Sequence, residues 1–412
     1  MFRINKGDSV VTWSIYIVVV VFVLLPAIRA TAANDKPENA ALLYYQAMLL
    51  CPDWDSIPTE DIHCVFGSIL EFTKETGSVE QVRKYVEDYK PAIQIAEAAS
   101  KITHCGWALP YAPYSPGSKQ GLKIYKQAKA LAFLIGSEAR ILAADGDYKA
   151  GFTQCLILYR IAKHFSEWQG HGNVLANTLE GYALYCIRMI LHETPLDENT
   201  LRWLSDQLAA MPPVTAPLST RMKNDFESMF LGLNKRILQR VRKNFAEEAS
   251  TEKQGKDDMN LTDDEVLNLI RQATAKFLDP ALEILDSDIP YVPKYGKINS
   301  LVKEFGELYN KNPAVIIPTI SHAELLLNNY NNDISYRTLG NSLKAAIEIY
   351  YIRARTGRLP KTIPDGLPKD LYSGKDFEYE ITEDGFLLRC RGKDLSSGRN
   401  NYFAFKVQGK GE

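Results

Sequence analysis

With 412 residues, 48 basic and 50 acidic side chains, the chain has a formal net charge of −2, a balance with no general pull toward nucleic acid or an anionic membrane surface. A hydrophobic fraction of 46% excludes a wholly disordered chain, and six cysteines are too few to build a disulfide scaffold, so packing must carry the stability. Length favours division into two or three structural units.

Residues 1–32 have the order of a secretory signal. Arg3 and Lys6 precede an apolar run from Val10 to Leu25, Pro26 follows, and Ala30-Thr31-Ala32-Ala33 supplies small residues of the A-x-A kind. The run falls short of the ~20 apolar residues that cross a bilayer as a helix, so removal is expected. If the segment is retained, residues 10–28 tether the chain to a membrane, with Arg29 at the far interface. Either way the remainder is exported, to a periplasm or cell envelope.

Residues 33–211 read as a helical-hairpin domain. Ala40, Leu43, Tyr44, Ala47 and Leu50 follow helical spacing, and Cys51-Pro52 ends that first helix. A second helix is expected near Glu60–Lys74 and a third over Ser78–Ser100, with Ser78 and Gln81 in a capping-box relation and Pro91 kinking or dividing it. Thr103–Ser118 holds three prolines, two glycines and three aromatics, a composition that suits only a long structured loop. The clearest unit comes next. A stripe from Leu122 to Leu142, the link Asp145-Gly146-Asp147 and a partner helix from Tyr148 to Phe165 make an αα-hairpin whose turn resembles the middle of a tetratricopeptide repeat. No second copy follows at the ~34-residue period of such arrays. Further helices are expected over 173–192 and from Asp197, a cap, to Met211.

Residues 212–356 form a second helical region: a stiff Pro212–Pro217 connector, a long helix from Ser219 to Glu248, a charged mobile loop over 249–263, a helix restarting at the Thr262/Glu265 capping pair, a loop over 287–299 and a last helix from Ile320 to Thr356. Residues 357–412 form a small tail. Asp376–Ile381 and Phe386–Arg391 are expected strands joined through Glu383-Asp384-Gly385, and Tyr402–Val407 a third.

The tail, from LKAAIEIYYIRARTGRLP through GKDFEYEITEDGFLLRCRGKD, resembles the carboxyl-terminal region of type II secretion major pseudopilins: a helix, a G-R-x-P turn, an x-L-P-x-D segment, an aromatic strand and a G-x-D ending. The amino terminus departs from that family, since Asp8 and Thr12 stand where its processing site has Phe and Glu, and only Asp394 matches its calcium loop; the chain is not itself a pilin. The body is similar to an uncharacterised family of exported bacterial helical, tetratricopeptide-like proteins. The matching residues are Asn39-Ala40-Ala41-Leu42-Leu43-Tyr44, Cys105-Gly106-Trp107 and Arg160-Ile161-Ala162-Lys163-His164. That resemblance implies an exported helical protein and no particular reaction.

Chemistry-bearing residues are sparse. His63-Cys64 and His104-Cys105, with Cys51, have metal-ligating side chains but lack C-x-x-C spacing, and no metal or cofactor is expected. A disulfide drawn from Cys51, Cys64 and Cys105 is the preferred reading, with Cys155 and Cys186 as core residues. Cys105 with His104, His164 or His171 is the candidate nucleophile pair. Against it stands a packing or binding role for the loop, with Trp107, Tyr111 and Tyr114 filling the end of a helical groove. Lys235–Lys243 is a basic stretch read as a solvated helix face, and Asn260-Leu261-Thr262 a formal glycosylation sequon. The fold expected is mainly α, an irregular helical-hairpin array followed by a small α+β tail with a short antiparallel sheet. The function expected is that of an exported binding or assembly scaffold with a protein or peptide partner; the alternative is a periplasmic hydrolase with its site near loop 103–118.

Overall fold

The computed structural model describes residues 38–66, 79–107, 119–168, 172–193, 197–232, 238–239, 262–311 and 313–407. The expected signal or tether, Ser78, and residues 249–261 of the charged loop lie outside them. Residues 40–412 form one compact unit.

Among the described residues twelve α-helices precede three strands. They are α1 (Ala40–Leu49), α2 (Thr59–Phe66), α3 (Glu80–Asp88), α4 (Lys90–Ser100), α5 (Lys119–Ala144), α6 (Tyr148–Ser166), α7 (Gly172–Glu193), α8 (Glu198–Ala210), α9 (Leu218–Gly232), α10 (Asp263–Asp286), α11 (Tyr291–Lys311) and α12 (Pro313–Thr356), then β1 (Glu378–Thr382), β2 (Gly385–Arg389) and β3 (Tyr402–Lys406). The mainly helical body with a small antiparallel tail is therefore the fold of the chain.

Local chemistry accounts for most boundaries. On α1 the buried face is Ala40, Ala41, Tyr44, Ala47 and Met48, turned toward α4; Leu50, expected on that face, lies just beyond the helix and is exposed. The helix expected over 78–100 is two helices. Tyr89 leaves the helical region (φ −114°, ψ 17°), and Pro91 stands in the first turn of α4, where its missing N–H costs nothing. Val79, not Ser78, occupies the cap position of α3 and makes no side-chain cap bond. Pro293 behaves like Pro91: α11 already begins at Tyr291, so the loop expected over 287–299 is only a short link.

The hairpin of α5 and α6 closes as its link residues dictate. Gly146 adopts φ 92°, and the Asp147 carboxylate accepts from Ala150 N–H at 3.0 Å, satisfying an orphan donor of α6. At Gly151 a Cβ would lie 2.7 Å from the Ala139 carbonyl oxygen, so the hairpin packs backbone against helix at that point. Asp197 caps α8 through Asn199 and Thr200, and Thr262 with Glu265 forms a reciprocal capping box at α10. Arg140, fully buried on α5, donates to the Cys64 carbonyl at 2.6 Å and so supports the last turn of α2.

In the tail the order is β1-β2-β3, each pair antiparallel. Thr382 pairs with Gly385 across Glu383-Asp384, and a Cβ at Gly385 would meet the Phe405 carbonyl oxygen at 2.1 Å; glycine is required there by the approach of β3. Phe386, Leu388, Phe403 and Phe405 are buried, and Arg188 of α7 donates to the Ala404 carbonyl at 2.9 Å. Tyr350 of α12 donates to the Lys406 carbonyl, tying the sheet to a second helix. One hydrophobic core consequently runs from Ala40 to Phe405.

Two loops of the tail are copies of one motif. Lys369-Asp370-Leu371-Tyr372-Ser373-Gly374-Lys375 and Lys393-Asp394-Leu395-Ser396-Ser397-Gly398-Arg399 share K-D-L-x-S-G-[K/R]. In each the glycine N–H donates to the aspartate carbonyl at 2.7 Å, the aspartate N–H donates to the final residue's carbonyl at 2.9 Å, and the glycines have φ of 71° and 70°. Asp394 spends its carboxylate on Ser396 and Ser397 within this turn.

Candidate functional site

The residues expected to form a site in loop 103–118 fall into two groups. Tyr111 and Tyr114, like His171, lie outside the described residues. Trp107 is buried: its ring stacks on Phe165 (centroids 4.3 Å apart), lies parallel to Tyr44 at 5.8 Å and meets Tyr45 edge-on, while its Nε1 donates to the His164 carbonyl at 2.8 Å. His164 is buried too, its Nδ1 sharing a 2.8 Å hydrogen bond with Tyr44 Oη, and burial with the nearby Lys163 ammonium pushes it toward the neutral form. His104 is exposed, and its carbonyl accepts from Ala40 N–H at 2.9 Å. Residues 104–107 thus pin the start of α1 to the end of α6.

Cys105 is in that plug as a packed thiol. Burial, with Glu167 nearby, pushes it up to about 12, so it is protonated at neutral pH and lacks the thiolate a nucleophile needs. All six cysteines are thiols, and the expected disulfide among Cys51, Cys64 and Cys105 is not formed. Cys51 donates to its own helix at the Ala47 carbonyl, Cys64 is fully buried beside Phe66, and each faces its own surroundings. His63 and His104 are exposed while the cysteines that follow them are buried, so the two His-Cys pairs do not converge. Among the described residues no group of three or more His, Cys, Asp or Glu side chains is placed to hold a metal, and no helix is long and apolar enough to cross a membrane.

A cavity of about 570 Å3 opens elsewhere, between α6, α7, α8, α12 and the 211–217 connector. Its apolar walls are Leu184, Leu208, Met211, Val214 and Leu343. Its polar groups are Tyr159 and Lys163 from α6, Glu180 from α7, and Asp333, Tyr336, Arg337, Asn341 and Lys344 from α12. Two glycines shape it. Gly340 is part of the wall, and at Gly181 a Cβ would come within 2.9 Å of the Tyr336 ring, so α7 lets that ring lie against it.

The electrostatics are asymmetric. Arg221 of α9, itself buried, donates to Asp333 Oδ1 at 2.6 Å, and Arg337 approaches Asp333 Oδ2 at 3.6 Å, so both oxygens of that carboxylate are engaged. Burial and the Asp333 charge push Glu180 up to about 7, although the Tyr159 hydroxyl bond and the Lys344 and Arg221 charges oppose the rise. At neutral pH Glu180 therefore alternates between a charged acceptor and a neutral donor. The arrangement can hold a ligand by charge and hydrogen bonding and can exchange one proton as it does so.

None of these residues was read as a site residue from the sequence; Lys163 was named only as part of the Arg160–His164 resemblance. Pro212–Pro217 read only as a stiff connector, and Glu180 and Asp333 are ordinary exposed-type residues until α7 and α12 meet. No protein-family model, curated protein or solved structure matches the chain.

Proposed function

We propose that this chain is an exported binding and assembly protein that engages a protein or peptide partner through the cavity between α6, α7, α12 and the 211–217 connector. One observation carries the reading: an open cavity of about 570 Å3 with apolar walls and a charged rim, mounted on helices that share the main core. Enzymatic use is less well served. The Cys105 region is a packed plug, and Asp333 has both oxygens committed to arginines, leaving Glu180 without a free second carboxylate. Export rests on the order of charges, apolar run and small residues in 1–32.

Filling the cavity tests this. A Cβ at Gly340 would meet only Leu184 Cδ1 at 3.9 Å, so a larger side chain is accommodated and projects into the space. The full chain bearing Gly340→Phe, folded by circular dichroism, should lose the partner that the unaltered chain recovers from its own envelope extract. Equal recovery by both proteins would sink the reading.

A further inference from the structure

We propose that the cavity receives the carboxyl-terminal end of a peptide chain, its terminal carboxylate held by Lys163, Arg337 and Lys344 and its last apolar side chain set against Met211, Pro212 and Pro213. This rests on the binding reading above and names the chemistry of the partner.

The charge of the cavity selects an anion. Lys163, Arg337 and Lys344 line the cavity, against Asp333, which Arg221 neutralises from behind, and Glu180, which is partly protonated. The site is thus locally positive in a chain whose net charge is −2, and an anion is its complement.

The shape of the cavity and its exposed backbone select a peptide end. An inorganic anion would use the cations and leave the apolar surface of Met211, Pro212, Pro213 and Ala216 wet, so the ligand needs an apolar group close to its carboxylate. A peptide end has that layout, and it adds main-chain donors and acceptors. The connector can pair with these. Pro212, Pro213 and Pro217 keep it out of any helix, and among the described residues no hydrogen bond engages the N–H or C=O groups of Val214, Thr215 or Ala216.

The charged and titratable groups facing Glu180 are Tyr159 and Lys163 on α6, Arg221 on α9, and Asp333, Tyr336, Arg337 and Lys344 on α12; the facing residues of α8 and the connector carry no charge. Protonating Glu180 removes a negative charge beside the expected carboxylate. Affinity for the peptide end should therefore rise as the pH falls from 8 to 6.

The test is fluorescence anisotropy with the full chain and a labelled peptide pool whose last four positions are randomised over apolar and small residues, prepared once with a free carboxyl end and once amidated. The free acid should bind about tenfold or more tightly than the amide, with tighter binding at pH 6 than at pH 8, and the Arg337→Ala/Lys344→Ala double variant should lose that preference. Gly340→Phe should abolish binding of both pools. Equal affinity for acid and amide, or no binding of either, overturns the inference. In both failures the recovery of envelope partner by unaltered and Gly340→Phe chains still reports separately on the binding reading. Displacement of the peptide by a long-chain fatty acid at lower concentration than by unlabelled peptide would also overturn it, assigning the cavity to a lipid.

Discussion

Replacing Glu180 with glutamine isolates the electrostatic cost built into the cavity. An ordinary glutamate titrates near 4.5, and burial beside Asp333 takes Glu180 up to about 7. The folded protein therefore holds this proton more tightly than the unfolded chain does. Below about 4.5 the group is protonated in both states and imposes no penalty. As the pH rises from about 4.5 to about 7 the unfolded chain ionises first, and stability falls; above about 7 the full penalty is present. A rise of that size, at ~1.4 kcal/mol per decade, corresponds to at most about 3–4 kcal/mol, and the partial exposure of the side chain brings the expectation to about 2 kcal/mol. Glutamine keeps the hydrogen bond to Tyr159 and does not titrate. Urea unfolding of both proteins at intervals from pH 4 to pH 9 should show E180Q gaining about 2 kcal/mol on the unaltered chain between the two ends of that range. A stability difference independent of pH would refute the placement of Glu180 beside Asp333 in a desolvated wall.

Three further outcomes follow from the packing. Gly151→Ala places a methyl group 2.7 Å from the Ala139 carbonyl oxygen, so α5 and α6 must separate; a loss of about 2 kcal/mol in urea unfolding is expected, and an unchanged midpoint would contradict the close approach. Trp107→Ala removes a stacked indole and its bond to the His164 carbonyl, and should cost about 3–5 kcal/mol and raise proteolytic cleavage near the start of α1. Burial holds the Cys105 thiol up to about 12, so iodoacetamide at pH 8 should leave Cys105 unmodified in the native protein and label it after denaturation; rapid native labelling, read by peptide mass spectrometry, would show an activated thiol instead.

What sequence reasoning reached is what local chemistry determines. The hairpin of α5 and α6 was legible because Gly146 and Asp147 each have one structural use there, and the Thr262/Glu265 box and the three strands were legible for the same reason. Proline misled it at Pro293, since a proline in a first helical turn and one in a loop look alike until the flanking N–H groups are placed. The K-D-L-x-S-G loops are a short repeat 24 residues apart, below the ~34-residue period of helical arrays, and their shared turn geometry is set by the glycine and aspartate of each. The cavity was not legible at all. It joins residues near 159, 180, 212 and 337, and the rise in Glu180 comes from a neighbour on another helix. The packing reading of the aromatic loop was legible from its aromatics and prolines, and Trp107 does pack on Tyr44, Phe165 and the His164 carbonyl; its particular partners, which lie on α1 and α6, were not legible.

The most direct test of the binding account is site-specific photo-crosslinking in intact cells, with p-benzoylphenylalanine at Thr215 in the cavity wall and, for comparison, at Lys84 on exposed α3. The account predicts a discrete adduct from Thr215 that Gly340→Phe removes, and none from Lys84. Adducts of equal yield from both positions, or an adduct from Thr215 that survives Gly340→Phe, would contradict it.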